Sequence, residues 1–241
     1  MIDSKRCFKT SAIATVAVTA CYGVSAGTIV NVDLTGVSNE GAVANDLPGL
    51  VGDSVFAKWN AVSSNAEVTN LLDEDGVATT VSFDIDDATT NTFSGGGGVN
   101  DFFRGYTFLQ GGPGVSTPDQ GAFTIGGLDN AKTYNIVFYA TWDFIDAGSE
   151  FSLDGGTTWK LSDGVPSVSN AAFIEGQSYV LFTDVAPTAG EIDGLWRTTL
   201  EGDSTAHRGP FNGFQIQEVP EPGSLALLTA GALCTLRRRR D

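Results

Sequence analysis

Apolar and polar residues alternate with a period of two through much of the chain, as expected of strands that lay one face on a core. Val81-Ser82-Phe83-Asp84-Ile85-Asp86 is one such run, and Tyr134, Ile136, Phe138, Ala140 and Trp142 form one apolar face of a longer strand. Phe123-Thr124-Ile125 and Phe214-Gln215-Ile216 repeat the pattern. Further strands are predicted over Thr28 to Leu34, Phe103 to Leu109, Ala171 to Ile174, Tyr179 to Thr183 and Leu195 to Leu200. A short helix is predicted within Val62 to Leu72. Turn chemistry separates these runs at Gly95 to Gly98, Gly111-Gly112-Pro113-Gly114, Gly126-Gly127 and Asp154-Gly155-Gly156. There is no strand–helix alternation of a parallel α/β fold and no repeat of propeller or solenoid length. The expectation is an all-β body, an antiparallel two-sheet sandwich of jelly-roll type.

The two ends carry a different pattern. Lys5, Arg6 and Lys9 precede an uncharged run of small and apolar residues, Ser11 to Ala20, and Val24-Ser25-Ala26 places small residues where a signal peptidase needs them. Residues 1–26 are therefore predicted to be a signal helix, cut between Ala26 and Gly27. At the other end Val219-Pro220-Glu221-Pro222 is followed by the uncharged run Gly223 to Leu236 and by Arg237, Arg238, Arg239, Arg240 and Asp241. That run has 14 residues, roughly 21 Å as a helix against a bilayer core of about 30 Å. It suits transient membrane contact, with the arginines reaching cytoplasmic headgroups. The domain boundaries expected are thus 1–26, 27–218 and 219–241.

Val219 to Pro222, the short apolar helix and the terminal arginines together resemble the PEP-CTERM sorting signal of Gram-negative bacteria. The resemblance implies processing by an exosortase, a membrane-embedded cysteine protease that cuts near the Pro-Glu-Pro motif. It also implies association with biofilm and extracellular polysaccharide, at the cell surface or outside the cell.

Charge and cysteine content narrow what the body can do. The chain has 29 Asp and Glu; without Asp3, Glu221 and Asp241, 26 lie in the body. Against them stand six basic residues, Lys58, Arg104, Lys132, Lys160, Arg197 and Arg208, for a body net charge of −20. Such a surface repels nucleic acid. Cys7, Cys21 and Cys234 all lie in the end segments, so disulfides and thiolate chemistry are excluded from the body.

Several short motifs bear on chemistry. Ser152-Leu153-Asp154-Gly155-Gly156-Thr157-Thr158-Trp159 matches the Asp-box pattern at Ser152, Asp154, Gly156, Thr158 and Trp159. The spacing suits a hairpin: Asp bonds turn amides, Gly takes positive φ and Trp folds back over the turn. Asp boxes recur in sialidase propellers, but a single copy without repeats reads as structural. Phe123 to Leu128 followed by Tyr134 to Tyr139 resembles neighbouring strands of galactose-binding-like and fibronectin-like sandwiches.

Gly52-Asp53-Ser54-Val55 is similar to the nucleophile block of GDSL-type esterases. Yet His207 follows Asp203 by one residue too many for that family's late block, and its helices are missing. Gly95 to Gly98 lacks the Lys-Ser/Thr ending of a phosphate loop. Carboxylates cluster at Asp73-Glu74-Asp75, at Asp84 with Asp86-Asp87, and at Asp143 with Asp146. They allow a structural calcium but no assigned ligand set. Trp59, Trp142, Trp159 and Trp196 are read as packing residues before sugar-stacking platforms.

The functional expectation is an exported, exosortase-processed surface or matrix protein with a structural or adhesive role, no enzyme activity and no cofactor. Its expected partners are signal peptidase, the exosortase and polysaccharide. The alternatives are a carbohydrate-binding module, in which calcium takes part, and a secreted hydrolase.

Overall fold

Period-two patterning becomes thirteen strands in the computed structural model, which describes residues 27–35, 58–63, 67–85, 90–94, 105–110, 118–141, 148–163, 173–199 and 208–220. The strands are β1 (Ile29–Thr35), β2 (Asn60–Ser63), β3 (Ser82–Ile85), β4 (Thr90–Ser94), β5 (Gly105–Gln110), β6 (Gln120–Gly126) and β7 (Tyr134–Tyr139), followed by β8 (Ser149–Ser152), β9 (Lys160–Ser162), β10 (Tyr179–Val185), β11 (Ile192–Thr198), β12 (Arg208–Phe211) and β13 (Gly213–Glu218). No helix occurs among the described residues. Residues 1–26 and 221–241, where the two flanking helices are predicted, lie outside them.

Two five-stranded sheets form the body, in the orders β10-β7-β13-β1-β2 and β3-β6-β11-β8-β9. A three-stranded sheet, β12-β5-β4, joins them. The chain crosses between the main sheets in nested fashion: β7 pairs with β10 in one, and their chain neighbours β6 and β11 pair in the other. Four expectations are corrected here. A third sheet accompanies the two main ones. The β1–β2 pair is parallel, with Val32 opposite Asn60. The helix predicted within Val62 to Leu72 is β structure in its described part: Val62 belongs to β2, Val68 bridges Phe83 and Leu72 bridges Ala78. Hydrogen bonds to neighbouring strands outweigh local helix propensity at such a site. Phe173 and Ile174, from the strand predicted at 171–174, are not in a strand.

The core lies between the facing sheets. Val30, Val32 and Leu34 of β1 meet Tyr134, Ile136 and Phe138 of β7, and Phe83, Phe123, Phe151 and Trp196 of the second sheet. Phe138 stacks on Phe151 at 5.0 Å and 7°, Phe83 meets Phe214 at 4.8 Å, and Phe211 of β12 packs edge-on against Phe151 at 5.1 Å. Each such pair adds about 0.5–1.5 kcal/mol beyond the area it buries.

Across β6 and β11, two cross-strand partners pair an aromatic ring with a glycine. Gly194 lies opposite Phe123 and Gly121 opposite Trp196. A Cβ at Gly194 would meet the Phe123 ring at 2.0 Å, and one at Gly121 would meet the Trp196 ring at 2.6 Å. The glycines make room for the two rings to lie flat against the sheet.

The outer face of the first sheet is also covered. Val137 and Tyr139 are buried there beneath Trp59, Phe173, Tyr179 and Leu181. Asn31, Asp33 and Gln215, polar residues of the central strands, are at most 1% exposed.

Candidate functional site

Gly27 and Val219 lie together at one end of the central strands of the first sheet. β1 and β13 are antiparallel neighbours with Ile29 opposite Gln217, so Gly27 and Val219 leave the sandwich side by side. The Glu218 amide donates to the Thr28 carbonyl at 3.1 Å, and the Val219 amide donates to the Thr133 carbonyl at 2.9 Å. Gly27 lies so close to β13 that a Cβ there would sit 2.0 Å from the Glu218 carbonyl oxygen. Lys132 adds an ion pair to Glu218 Oε2 at 2.8 Å at this end of β13. The bond to Glu218 raises the Lys132 pKa against the opposing effect of burial. Pro220 is exposed. Of the residues singled out for processing, Gly27, Val219 and Pro220 are therefore placed, and they are brought together. Ala26, Glu221, Pro222 and Arg237 to Arg240 lie outside the described residues.

A cleft of about 540 Å³ opens beside this junction, lined by Asn70, Asp73, Thr80, Asp129, Lys132 and Glu218 among others. Its polar groups are engaged in holding loops. Asp73 Oδ1 accepts from the amides of Asp75 at 3.0 Å and Val77 at 2.8 Å. Thr80 donates to the Gly127 carbonyl at 2.7 Å. The Tyr134 hydroxyl accepts from the Asp129 amide at 3.0 Å, and burial raises its pKa. Asp129 Oδ1 accepts from the Ala131 amide at 2.9 Å.

The hairpin between β8 and β9 is built from the Ser152 to Trp159 segment. The Ser152 hydroxyl donates to Asp154 Oδ1 at 2.8 Å and accepts from the Gly156 amide at 2.9 Å. Thr158 donates to Asp154 twice, from its amide to Oδ1 at 2.9 Å and from its hydroxyl to Oδ2 at 2.5 Å. Those bonds and the one from Ser152 lower the Asp154 pKa to about 2, the Thr158 hydroxyl first among them. Gly155 and Gly156 hold φ of +67° and +85°, which side-chain-bearing residues avoid.

Trp159 Nε1 donates to the Gly156 carbonyl at 2.9 Å. Its ring is covered by the Arg197 guanidinium at 3.9 Å, and Arg197 is itself paired with Glu150 at 2.7 Å. The side-chain hydrogen bonds of Ser152, Asp154, Thr158 and Trp159 thus close on the hairpin itself.

Trp59 and Trp196 are held by packing instead. Trp196 is wholly buried, and Trp59 packs on Tyr139 at 6.3 Å. Ser54, His207, Trp142, Asp86, Asp87, Asp143, Asp146 and Gly95 to Gly98 lie outside the described residues. Among the described residues, no group of three or more His, Cys, Asp or Glu is arranged to hold a metal ion, and no helix is long and apolar enough to cross a membrane. Sequence reading missed the Gly27–Glu218 contact and the cleft, since neither leaves a local signal in the chain.

Comparison with known proteins assigns the C-terminal segment. Residues 218–240 match the PEP-CTERM protein-sorting motif. The motif implies an exported protein that is anchored in the membrane before exosortase cleavage. No curated protein matches the chain in sequence. Among solved structures, the ANXUR1 extracellular domain from Arabidopsis thaliana is similar at a TM-score of 0.40 and 14% identity, over 75% of this chain and 54% of that one. The ANX1 ectodomain from the same plant gives 0.37 and 12%, over 80% and 55%. The chain therefore spans about half the length of these two ectodomains. CBM32-3, from a family 31 glycoside hydrolase of Clostridium perfringens, gives 0.27 and 14%, over 55% and 94%.

Proposed function

We propose that this is an exported, exosortase-processed protein whose β-body has a structural or adhesive role at the cell surface or in an exopolysaccharide-rich matrix. The observation that carries the reading is the sorting motif at residues 218–240, which begins on the last residue of the central strand β13. Export follows the signal segment, with signal peptidase cutting before Gly27. The apolar tail then holds the body at the outer side of the membrane until the exosortase releases it. The body works without a cofactor and without catalysis of its own. The acidic surface and a cysteine-free core suit a domain that must stay folded and soluble outside the cell. Closure of the Asp-box valences and burial of Trp196 support a scaffold role for those residues.

The test is the intact mass of the protein from the cell envelope and from the medium, together with its retention on extracted exopolysaccharide. A species from near Gly27 to near Pro222 that is retained without shortening the polymer supports the proposal. A chain that still ends at Asp241 overturns the sorting half. A processed chain that no polysaccharide retains overturns the adhesive half.

A further inference from the structure

The close approach of Gly27 to Glu218 links the two predicted processing points in the folded body. β13 lies between β7 and β1, and its backbone is bonded on both edges through Glu218. The next residue is also held, since the Val219 amide is bonded to the Thr133 carbonyl. Pro220 has no amide hydrogen to give and is exposed. A protease takes up the chain on both sides of the bond it cuts as a free extended segment, and cuts concentrate where backbone is not already paired.

We infer that the folded body itself sets the upstream limit of C-terminal processing, so that the cut falls beyond Pro220, and that Gly27 is the residue that holds this limit in place. The inference rests on the reading of residues 218–240 as a processed tail, and it adds a role for the opposite terminus. Gly27 acts as a positioning residue, because only a residue without Cβ lets the start of β1 lie against the Glu218 carbonyl. A side chain at position 27 forces the two backbones apart there. It releases the Glu218–Thr28 bond and frees the end of β13 to a protease. The Lys132–Glu218 ion pair is the second fastening of the same strand end.

The arrangement also accommodates both membrane segments at once. With Gly27 and Val219 adjacent, the body can fold fully while tethered at both ends, and neither cut disturbs a strand. The C-terminal limit is therefore established by folding before the tail is removed.

Two measurements test this. In the first, the full chain purified in detergent is treated with proteinase K, and the C-terminus of the resistant body is read by intact mass. The wild-type product should end at Pro220 or later. Gly27→Val should yield products that end within Gln217 to Val219, with Gly27→Ala intermediate, while circular dichroism shows the body folded. A wild-type product trimmed to Val219 or further overturns the inference. So does a folded Gly27→Val body with the wild-type end point. Should Gly27→Val not fold, the wild-type and Gly27→Ala end points decide.

In the second, the C-terminus is read from protein processed in cells. An end at Pro220 or later supports the inference, and an end at Val219 or earlier overturns it while leaving exosortase processing standing. A tail intact to Asp241 overturns the processing reading instead, and the proteinase experiment then decides whether the fold limits cleavage.

Discussion

Gln215 donates its side-chain amide to Asn31 Oδ1 at 2.6 Å, directly across the central β1–β13 pair. Both residues are wholly buried. Asn31 passes its own amide to the Lys58 carbonyl at 2.9 Å, and the Tyr139 hydroxyl donates to Gln215 Oε1. Asn60 extends the ladder by donating to the Asn31 and Leu72 carbonyls at 2.9 and 2.7 Å. A polar network thus binds β2, β1, β13 and β7 on a face that covering segments keep from water.

Removing one member of this ladder should cost more than removing a matched pair. Asn31→Leu removes the Asn31 Oδ1 acceptor that faces the buried Gln215 amide, and the expected loss is about 1–3 kcal/mol in urea unfolding. Adding Gln215→Leu should restore part of that loss. A double variant as weak as the sum of both single ones would show that the two residues act independently.

The glycine–aromatic pairs of β6 and β11 should tolerate no added methyl. Gly194→Ala places its Cβ inside the Phe123 ring and pushes that ring into a filled core. About 1–3 kcal/mol of destabilisation is expected from such overpacking. Gly155→Ala offers the comparison, since nothing lies within 4 Å of its Cβ position. Its cost should come from positive φ alone, and equal effects at the two sites would refute the steric account.

Phe138 joins more of the core rings than its strand neighbours do, touching Phe123, Phe151, Phe182, Phe211 and Phe214. Phe138→Ala should lower unfolding free energy by about 3–5 kcal/mol. Chemical denaturation followed by tryptophan fluorescence would report it through Trp196.

Acid should loosen the β8–β9 hairpin late. The Asp154 carboxyl is lowered from 3.8 to about 2 by bonds that exist only in the folded hairpin. Its contribution is complete above about pH 4 and is lost as pH falls through about 2. A titration of the Asp154 carboxyl carbon by NMR should have its midpoint near 2, with the Thr158 amide shift following it. A midpoint at the ordinary carboxylate value would mean that the Thr158 bonds do not hold in solution.

Much of the fold was legible because period two is local. The core faces of β3, β6, β7 and β13 follow directly from Phe83, Ile85, Phe123, Ile125, Ile136, Phe138, Phe214 and Ile216. β2 and β12 were not legible: Asn60–Ser63 and Arg208–Phe211 are short, and their partners lie far along the chain. The sorting tail was legible for the opposite reason, as an address read in linear order needs no tertiary context.

By itself, then, the sequence determined an all-β body, its principal core residues and the PEP-CTERM motif at the end. Tertiary structure alone decided that Asn31, Asp33 and Gln215, which alternate with apolar neighbours as if for solvent, are buried. It also decided that Arg197 covers Trp159, and that Gly27 meets Glu218. The physical reason is the same in each case. Alternation shows that a strand has two faces, but what covers the second face comes from residues far along the chain, as Asn31 and Gln215 do across 184 positions. Only closing those distances brings Gly27 and Val219 together at one end of the central strands.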